Sequence, residues 1–267
     1  MQKKIIIVSA IVALISCTKV PITGRRQMNL LPESEMMSMS LTSYQDFLSK
    51  NKKLPDSDSR TELVRKVGNN IANAVQQFML SNKKYANRVE GFKWEFNTVD
   101  DKTINAWCMP GGKVVVYTGL LPITQDEASL AIVMGHEIAH AIARHGNERM
   151  SQGMLVQLGG IGLAVATSSQ PAVTQDIFNQ SYGVASGLGT LAYSRKHESE
   201  ADKLGLVFMA MAGYDPSIAP AFWERMAASS TGQKPPELLS THPSDETRIK
   251  DIRAFLPEAM KYYKPQR

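Results

Sequence analysis

The chain has 267 residues, of which 43% are hydrophobic and 21% are charged, and a formal net charge of +5. This composition is typical of a globular protein with one sizeable core, and it excludes a disordered or fibrous chain. If the N-terminal stretch is removed with its two lysines, the net charge falls to +3. So weak a basic bias gives no reason to expect nucleic acid as a partner.

Residues 1–16 have the order of a secretory signal peptide: a basic start, an apolar run and a small residue, Ser16, before Cys17. The apolar run is too short to cross a bilayer as a mature helix. The ending LISC resembles a bacterial lipobox, so we expect a lipid on Cys17 and a lipidated tether over residues 17–31. The alternative is an ordinary signal peptide with a chance cysteine. Lipidation would place the protein in the periplasm of a bacterial envelope, with Thr18 favouring the outer membrane, and would leave Cys108 unpaired.

The next segments predict helices at about 32–50 and 61–80, where apolar residues recur at helical spacing. The alternation in FKWEFNTV then predicts a strand. TINAWCMPGGKVVVYTGLL predicts a β-hairpin that turns at Gly111 and Gly112.

The clearest helix is TQDEASLAIVMGHEIAHAIARHGNERMSQ, for which Thr124 and Glu127 predict a capping box. The apolar, Gly-rich run 153–166 is too short to span a bilayer and is expected to pack inside the protein or at a membrane surface. The remaining predictions are a loop at 167–180, a long helix at 181–211, a helix after Pro216, a Pro-rich loop, and closing helical structure from Glu246.

Three polar residues lie inside the apolar part of that helix. His136 and His140 are four residues apart, so their rings lie on one face and can ligate the same metal ion. Glu137 projects beside the ion and can reach its bound water. This H-E-x-x-H pattern is the arrangement of a metalloprotease and favours zinc, with one ion per chain. Two buried histidines that merely hydrogen-bond in the core are the less favoured reading.

A catalytic zinc needs a third protein ligand and an open position. His145 is offset by five residues from His140 and is expected to be a polar residue at the helix end. Glu198 and Asp202 share one helix face, whereas Glu200 is rotated off it and is expected to be a solvated charge. Asp202 could then orient a ligating histidine. Spacing alone does not decide whether Glu198 is a metal ligand or part of a surface ion pair.

HEIAH, ARHGNERMSQ and ESEAD together resemble the gluzincin zinc metallopeptidases, the family of the CaaX prenyl protease, HtpX and BepA. The resemblance covers roughly residues 30–260 and extends to STHPSDETRI, and it is to the soluble lipoprotein branch. It implies Glu198 as the third ligand and places the family's conserved aspartate at Asp202. It also implies that His242 can approach the zinc, and it places the following arginine at Arg248.

The implied fold is α+β and mainly helical, a zincin-type metalloprotease in one domain over residues 32–267. Its small sheet has an edge strand before the H-E-x-x-H helix. Residues 114–118 could bind substrate as an added strand. The alternative is that these residues form an edge strand that is simply covered by the rest of the protein.

We therefore expect a zinc endopeptidase in which Glu137 activates a zinc-bound water to cleave unfolded or misassembled envelope proteins. His242, Arg248 and Tyr193 are candidate donors to the oxyanion. We also expect His242 to fill the fourth zinc position at rest, because it lies in a Pro-rich loop.

The alternative is a zinc-containing, chaperone-like assembly factor with little proteolysis. An inert lipoprotein scaffold would leave the aligned polar residues unexplained. Expected partners are protein substrates, the membrane through the lipid, and envelope assembly machinery.

Overall fold

The computed structural model describes residues 17–158, 171–182, 193–228, 238–239, 242 and 246–265, and within them the chain is mainly helical. Its strands are β1 (Cys17–Lys19), β2 (Arg26–Met28), β3 (Glu95–Val99), β4 (Ala106–Met109) and β5 (Lys113–Tyr117). Its α-helices are α1 (Glu33–Lys50), α2 (Ser59–Leu80), α3 (Leu121–Thr124), α4 (Glu127–Ala143), α5 (His145–Leu158), α6 (Pro171–Tyr182), α7 (Arg195–Met211), α8 (Ala219–Ala228) and α9 (Glu246–Ala259).

The sheet beside the site has the strand order β3–β5–β4. β5 is parallel to β3 and antiparallel to β4, and the predicted hairpin turns at Gly111 and Gly112, whose φ angles of 84° and 82° favour glycine. The prediction that residues 114–118 form an exposed or covered edge is wrong, because β5 has a hydrogen-bonded strand on each side. The edge strands of this sheet are β3 and β4, and β4 packs against α4.

Both faces of the sheet are covered. Val114 and Val116 belong to a large core shared with α2, α4 and α7, whereas Val115 and Tyr117 belong to a second cluster with α1 and α6. A strand buried on both faces carries apolar residues at successive positions rather than at alternate ones. The sheet therefore holds α4 firmly along one side.

Helices α4 and α7 make a close crossing through glycine. A Cβ at Gly205 would lie 2.8 Å from the backbone nitrogen of His136, and a Cβ at Gly135 would lie 2.9 Å from the carbonyl oxygen of Gly205. Both distances are shorter than van der Waals contact, so the two backbones can approach this closely only without side chains at those positions. This crossing sets the separation of the residues that α4 and α7 contribute to the site.

Several predicted boundaries differ from the structure. The N-cap of α4 is Asp126, whose side chain accepts from the Ser129 N–H, so the predicted capping box at Thr124 and Glu127 is wrong. Part of the predicted loop 167–180 is helix α6. The predicted helix 181–211 is not continuous, because α7 begins at Arg195 behind the N-cap Ser194.

Other predicted elements are confirmed, notably α1, α2, α8 after Pro216, and α9. Of the apolar run 153–166, the part up to Leu158 is helical, and residues 159–166 lie outside the described residues. Much of the Pro-rich loop and the signal peptide also lie outside them. Across the described part of the chain, no helix is both long and apolar enough to cross a membrane.

The N-terminal segment from residue 18 to residue 31 is packed against the domain. Val20 is fully buried and Leu31 is 5% exposed. Arg88 donates to the Lys19 carbonyl at 2.6 Å and also contacts the carbonyl of Ile142 in the last turn of α4. This segment therefore packs against α4 and the residues beside it.

Candidate metal centre

Helix α4 presents the first two donor groups. His136 and His140 are each 2% exposed, and their Nε2 atoms lie 3.0 Å apart. The helix ends at Ala143 because the next residue, the C-cap Arg144, adopts the left-handed conformation, with φ of 59°. Two imidazoles buried this deeply in an apolar helix need a polar or metal partner between them.

Helix α7 brings a carboxylate to the same point. Glu198 is 4% exposed, and its two carboxylate oxygens lie 3.3 Å from His136 Nε2 and 3.4 Å from His140 Nε2. Burial alone would raise the pKa of Glu198, but the surrounding histidines outweigh it and hold the pKa well below its usual value. The carboxylate is therefore negatively charged beside the two rings.

His242 supplies the fourth group from the C-terminal part of the chain. Its Nδ1 lies 2.9 Å from Glu198 Oε1 and 3.2 Å from His136 Nε2, and the residue is 1% exposed. Its backbone N–H donates to the Leu238 carbonyl, and the Leu238 N–H donates to the Ile104 carbonyl just before β4. His242 is thus fixed over the site by the segment next to the sheet edge.

The four groups fit a zinc ion. His136, His140, Glu198 and His242 can each offer one donor atom, and all four atoms lie within 4.8 Å of one another. Around a tetrahedral zinc with bonds of about 2.0–2.1 Å, neighbouring donors are about 3.3–3.4 Å apart. The measured separations of 2.9–3.4 Å come close to this geometry. Three nitrogens and one oxygen are also a donor set that zinc accepts readily.

Glu137 faces the cluster but is not one of the four donors. It is 3% exposed, and its Oε1 is buried without a hydrogen-bond partner, 3.4 Å from His242 Nε2. Burial raises the pKa of Glu137, against the opposing effect of the nearby His242. A carboxylate with a free oxygen and a raised pKa suits a group that takes and returns a proton near neutral pH.

His136 is oriented from behind by a carboxylate. Its Nδ1 lies 2.9 Å from Asp202 Oδ1, and Asp202 accepts two hydrogen bonds from Arg248 at 2.7 and 2.8 Å. Arg248 also donates to the His242 carbonyl at 3.0 Å and lies 3.6 Å from the centre of the Trp223 ring. Burial would lower the pKa of His136, but Asp202 and Glu198 raise it to about 9.

His140 is oriented through one more imidazole. Its Nδ1 lies 3.0 Å from His145 Nδ1, and His145 Nε2 lies 3.0 Å from Glu200 Oε2. His145 is fully buried and Glu200 is 5% exposed. The expectations that His145 is a polar helix end and that Glu200 is a solvated charge are therefore wrong.

Arg25 of the N-terminal segment completes this second network. Its Nε donates to Glu200 at 2.6 Å, and its two terminal nitrogens donate to Glu148 at 2.8 and 2.7 Å. Glu148 also contacts His197 Nε2 at 3.0 Å. Burial would raise the pKa of Glu148 and of Glu200, but their histidine and arginine partners lower each to about 2.

The sequence profile of Peptidase family M48 matches residues 66–256, more than half of the chain. The chain belongs to peptidase family M48. This match covers His136, Glu137, His140, Glu198, Asp202, His242 and Arg248, and it leaves Arg25 outside.

Individual relatives of this M48 chain agree with the match. It is 34% identical over 243 residues to mitochondrial metalloendopeptidase OMA1 of Schizosaccharomyces pombe, covering 90% of this chain and 66% of that protein. It is 32% identical over 249 residues to the human metalloendopeptidase OMA1, covering 90% of this chain and 46% of the relative. It is 36% identical over 165 residues to a putative beta-barrel assembly-enhancing protease of Vibrio cholerae, covering 59% and 34%. The chain thus spans about a third to two thirds of the length of these relatives.

Within the M48 chain, the residues predicted from the sequence as ligands and partners lie in one cluster, together with His242. The residues that sequence reasoning missed are His145, Glu200 and Arg25. For His145 and Glu200, the one usable signal was the concentration of charged and imidazole groups in HGNE and HESEAD. Arg25 lies outside both stretches. The helix break at Arg144, which turns His145 back toward His140, has no signature in these letters.

Proposed function

We propose that this protein is a zinc-dependent endopeptidase that cleaves unfolded or misassembled proteins of the bacterial cell envelope. The observation that carries the proposal is the position of Glu137, which has one buried, unpartnered oxygen beside four converging donor atoms. Membership of a peptidase family supports it. A protein that only bound zinc would have no use for this carboxylate.

His136, His140 and Glu198 would hold one zinc ion, which when bound polarises a carbonyl and lowers the pKa of water. Glu137 would take a proton from the attacking water and deliver it to the leaving amine. Asp202 would keep His136 in the tautomer that presents Nε2 to the metal, and Arg248 would hold Asp202. Tyr193, whose ring centre lies 4.0 Å from that of His140, remains a candidate donor to the developing oxyanion, as does His242.

The substrate would bind along β4 rather than along β5. β4 is an edge strand, and alternate backbone groups of an edge strand point away from its partner and can pair with an added peptide. Just before this strand, the Ile104 carbonyl accepts from the Leu238 N–H, and the Leu238 carbonyl accepts from the His242 N–H. Peptide substrates methylated on alternate backbone nitrogens should bind several-fold more weakly than the unmethylated peptide, whereas equal binding in every register would exclude strand addition.

We also propose that His242 closes the site at rest. Its Nδ1 lies within 3.2 Å of both His136 and Glu198, where a substrate carbonyl would have to enter. Replacement by alanine should raise basal proteolysis about tenfold or more if this ring must leave first. Loss of activity in His242→Ala would instead make His242 part of the catalytic machinery.

The same contact favours the second candidate function, a zinc-containing, chaperone-like assembly factor with little proteolysis. We further propose attachment to the envelope membrane, with the outer membrane favoured, through a lipid on Cys17. The beta-barrel assembly-enhancing relative supports an envelope role, whereas the OMA1 relatives are mitochondrial. Protein substrates and envelope assembly machinery are the proposed partners.

The deciding experiment measures bound zinc and casein cleavage for the wild type and for Glu137→Gln. We expect equal zinc content and a loss of cleavage of about 10²–10⁴-fold in the variant, because only proton transfer is removed. Glu90→Gln, at an exposed glutamate, is the matched control and should behave as the wild type. Zinc binding with equal or no cleavage in both proteins would reject the peptidase and leave the chaperone-like alternative.

A further inference from the structure

The two histidines that α4 offers to the metal are each supported by an acid–arginine pair, and the two arginines come from opposite ends of the chain. Behind His136 the order is Asp202 and then Arg248, as described above. Behind His140 the order is His145, Glu200 and then Arg25. Arg25, at the end of the second support, lies outside the part of the chain that matches the family profile.

We propose that Arg25 and Glu200 act as positioning residues that fix the tautomer of His140 through His145. The proposal rests on the proposed zinc site, since the tautomer of His140 matters only if its Nε2 binds a metal. The N-terminal segment would then help to position a metal ligand, in addition to carrying the proposed lipid attachment at Cys17.

The donor and acceptor roles along this chain of contacts follow one direction. The Glu200 carboxylate can only accept, so the ring nitrogen that faces it, His145 Nε2, carries the proton. In the neutral ring, His145 Nδ1 is then an acceptor, and His140 Nδ1–H donates a hydrogen bond to it at 3.0 Å. This leaves the lone pair of His140 on Nε2, which is the atom that faces His136 and Glu198.

The geometry leaves little freedom for the opposite arrangement. The His145 ring stacks on the His197 ring, with centres 4.5 Å apart and planes 27° apart, so His145 cannot turn without breaking that contact. Glu200 is held on one side by Arg25 and also accepts from the Thr23 hydroxyl. Arg25 is itself fixed by the two hydrogen bonds to Glu148.

Arg25 is 14% exposed, and the acids it contacts are 8% and 5% exposed. Side chains this buried are shielded from solvent, so their ion pairs are screened less than those of surface pairs. Without Arg25, Glu200 would lose its closest cation, and its carboxylate could turn away from His145 Nε2. His145 could then present a proton to His140, and His140 would present a proton to the metal.

The test uses the full-length chain and two variants. Arg25→Gln removes the cation, and His145→Phe keeps a flat ring while removing the acceptor. The matched control is Arg26→Gln, because Arg26 is the neighbouring residue in β2 and is exposed. Zinc affinity is measured by competition with a chromophoric chelator, and the tautomers of the ¹⁵N-labelled histidines are read from their ring-nitrogen chemical shifts in the zinc-free protein.

We expect Arg25→Gln and His145→Phe each to weaken zinc binding about 10–100-fold, as loss of the partner of a metal ligand commonly does. Arg26→Gln should bind zinc as the wild type does. In the wild type, the ring-nitrogen chemical shifts of His145 should show the proton on Nε2. In Arg25→Gln, they should show a mixture of the Nε2-protonated and Nδ1-protonated forms.

A purely structural role for Arg25 predicts a different pattern. The thermal midpoint of the zinc-free protein would fall, while zinc affinity and the histidine shifts of the folded protein stayed unchanged, and this result would overturn the proposal. If Arg25→Gln does not fold, unchanged zinc affinity in His145→Phe overturns it equally. Failure of the proposed function is distinct, because the wild type itself would then bind no zinc or cleave no casein.

Discussion

Replacing Asp202 with asparagine tests the support behind His136. The substitution keeps the shape of the side chain and removes the negative charge between His136 and Arg248. Arg248 would lose its pairing with a carboxylate that now accepts hydrogen bonds at 2.7 and 2.8 Å, at a site where both side chains are 6% exposed. A buried arginine left without its carboxylate costs roughly 3–5 kcal/mol in the free energy of unfolding.

The lower end of that range applies here, because Arg248 keeps the His242 carbonyl and the face of Trp223. A loss of about 3 kcal/mol corresponds to a fall of about 6–12 °C in Tm for a domain of this size. Zinc affinity should fall about 10–100-fold, because His136 loses the acceptor that orients it. Thermal unfolding followed by circular dichroism in excess chelator measures the first effect, and chelator competition measures the second.

The double variant Asp202→Asn with Arg248→Met is the control for this reasoning. Removing both charges leaves no unpaired group in the core, so the double variant should be more stable than Asp202→Asn alone. A single variant within about 1 kcal/mol of the wild type would refute the argument. So would a double variant whose loss equals the sum of the two single losses.

Three further predictions follow from the packing, the charges and the metal. Gly205→Ala should lower the free energy of unfolding by about 1–3 kcal/mol, because a methyl group 2.8 Å from the His136 nitrogen must push α4 and α7 apart. Chemical denaturation measures this loss of stability. An unchanged denaturation midpoint would contradict the close crossing of the two helices. Since the folded pKa of Glu148 is lowered to about 2, its contribution to stability is complete above about pH 5 and is lost as the pH falls toward 2. Denaturation of chelator-treated protein across that window should show a shallower decline for Glu148→Gln than for the wild type, and equal slopes would count against the ion pair. Zinc at about a hundred times its Kd should raise the unfolding free energy by about 2.7 kcal/mol over chelator-treated protein, with a smaller gain in His140→Ala, as followed by the thermal midpoint.

The parts of the site that lie close together in sequence could be predicted from the letters. His136, Glu137 and His140 occupy one helix, so spacing alone places them. Glu198 was left open by spacing and was assigned only through the resemblance, because its distance from the histidines depends on how two helices cross. That crossing is made possible by Gly135 and Gly205, which carry no chemical signature of their own.

The errors also have physical causes. Strand order is a non-local property, although the unbroken apolar run in KVVVY is typical of a strand buried on both faces and could have indicated that β5 is central. The polar letters of PAVTQDIFNQSY favoured a loop, but Thr174, Phe178 and Tyr182 are buried at helical spacing. The position of His145 depends on a single residue in the left-handed conformation, Arg144, and local sequence does not specify that conformation.

The metal centre draws on residues from nearly the whole length of the chain. Arg25 lies near the beginning, α4 and α7 in the middle, and His242 and Arg248 near the end. A ribosome must therefore have passed residue 248 before the groups behind both histidines can meet. A fragment that lacks Arg25 or Arg248 would lose one of the two arginines behind the histidines. Synthesis of residue 248 is thus a condition for forming the site.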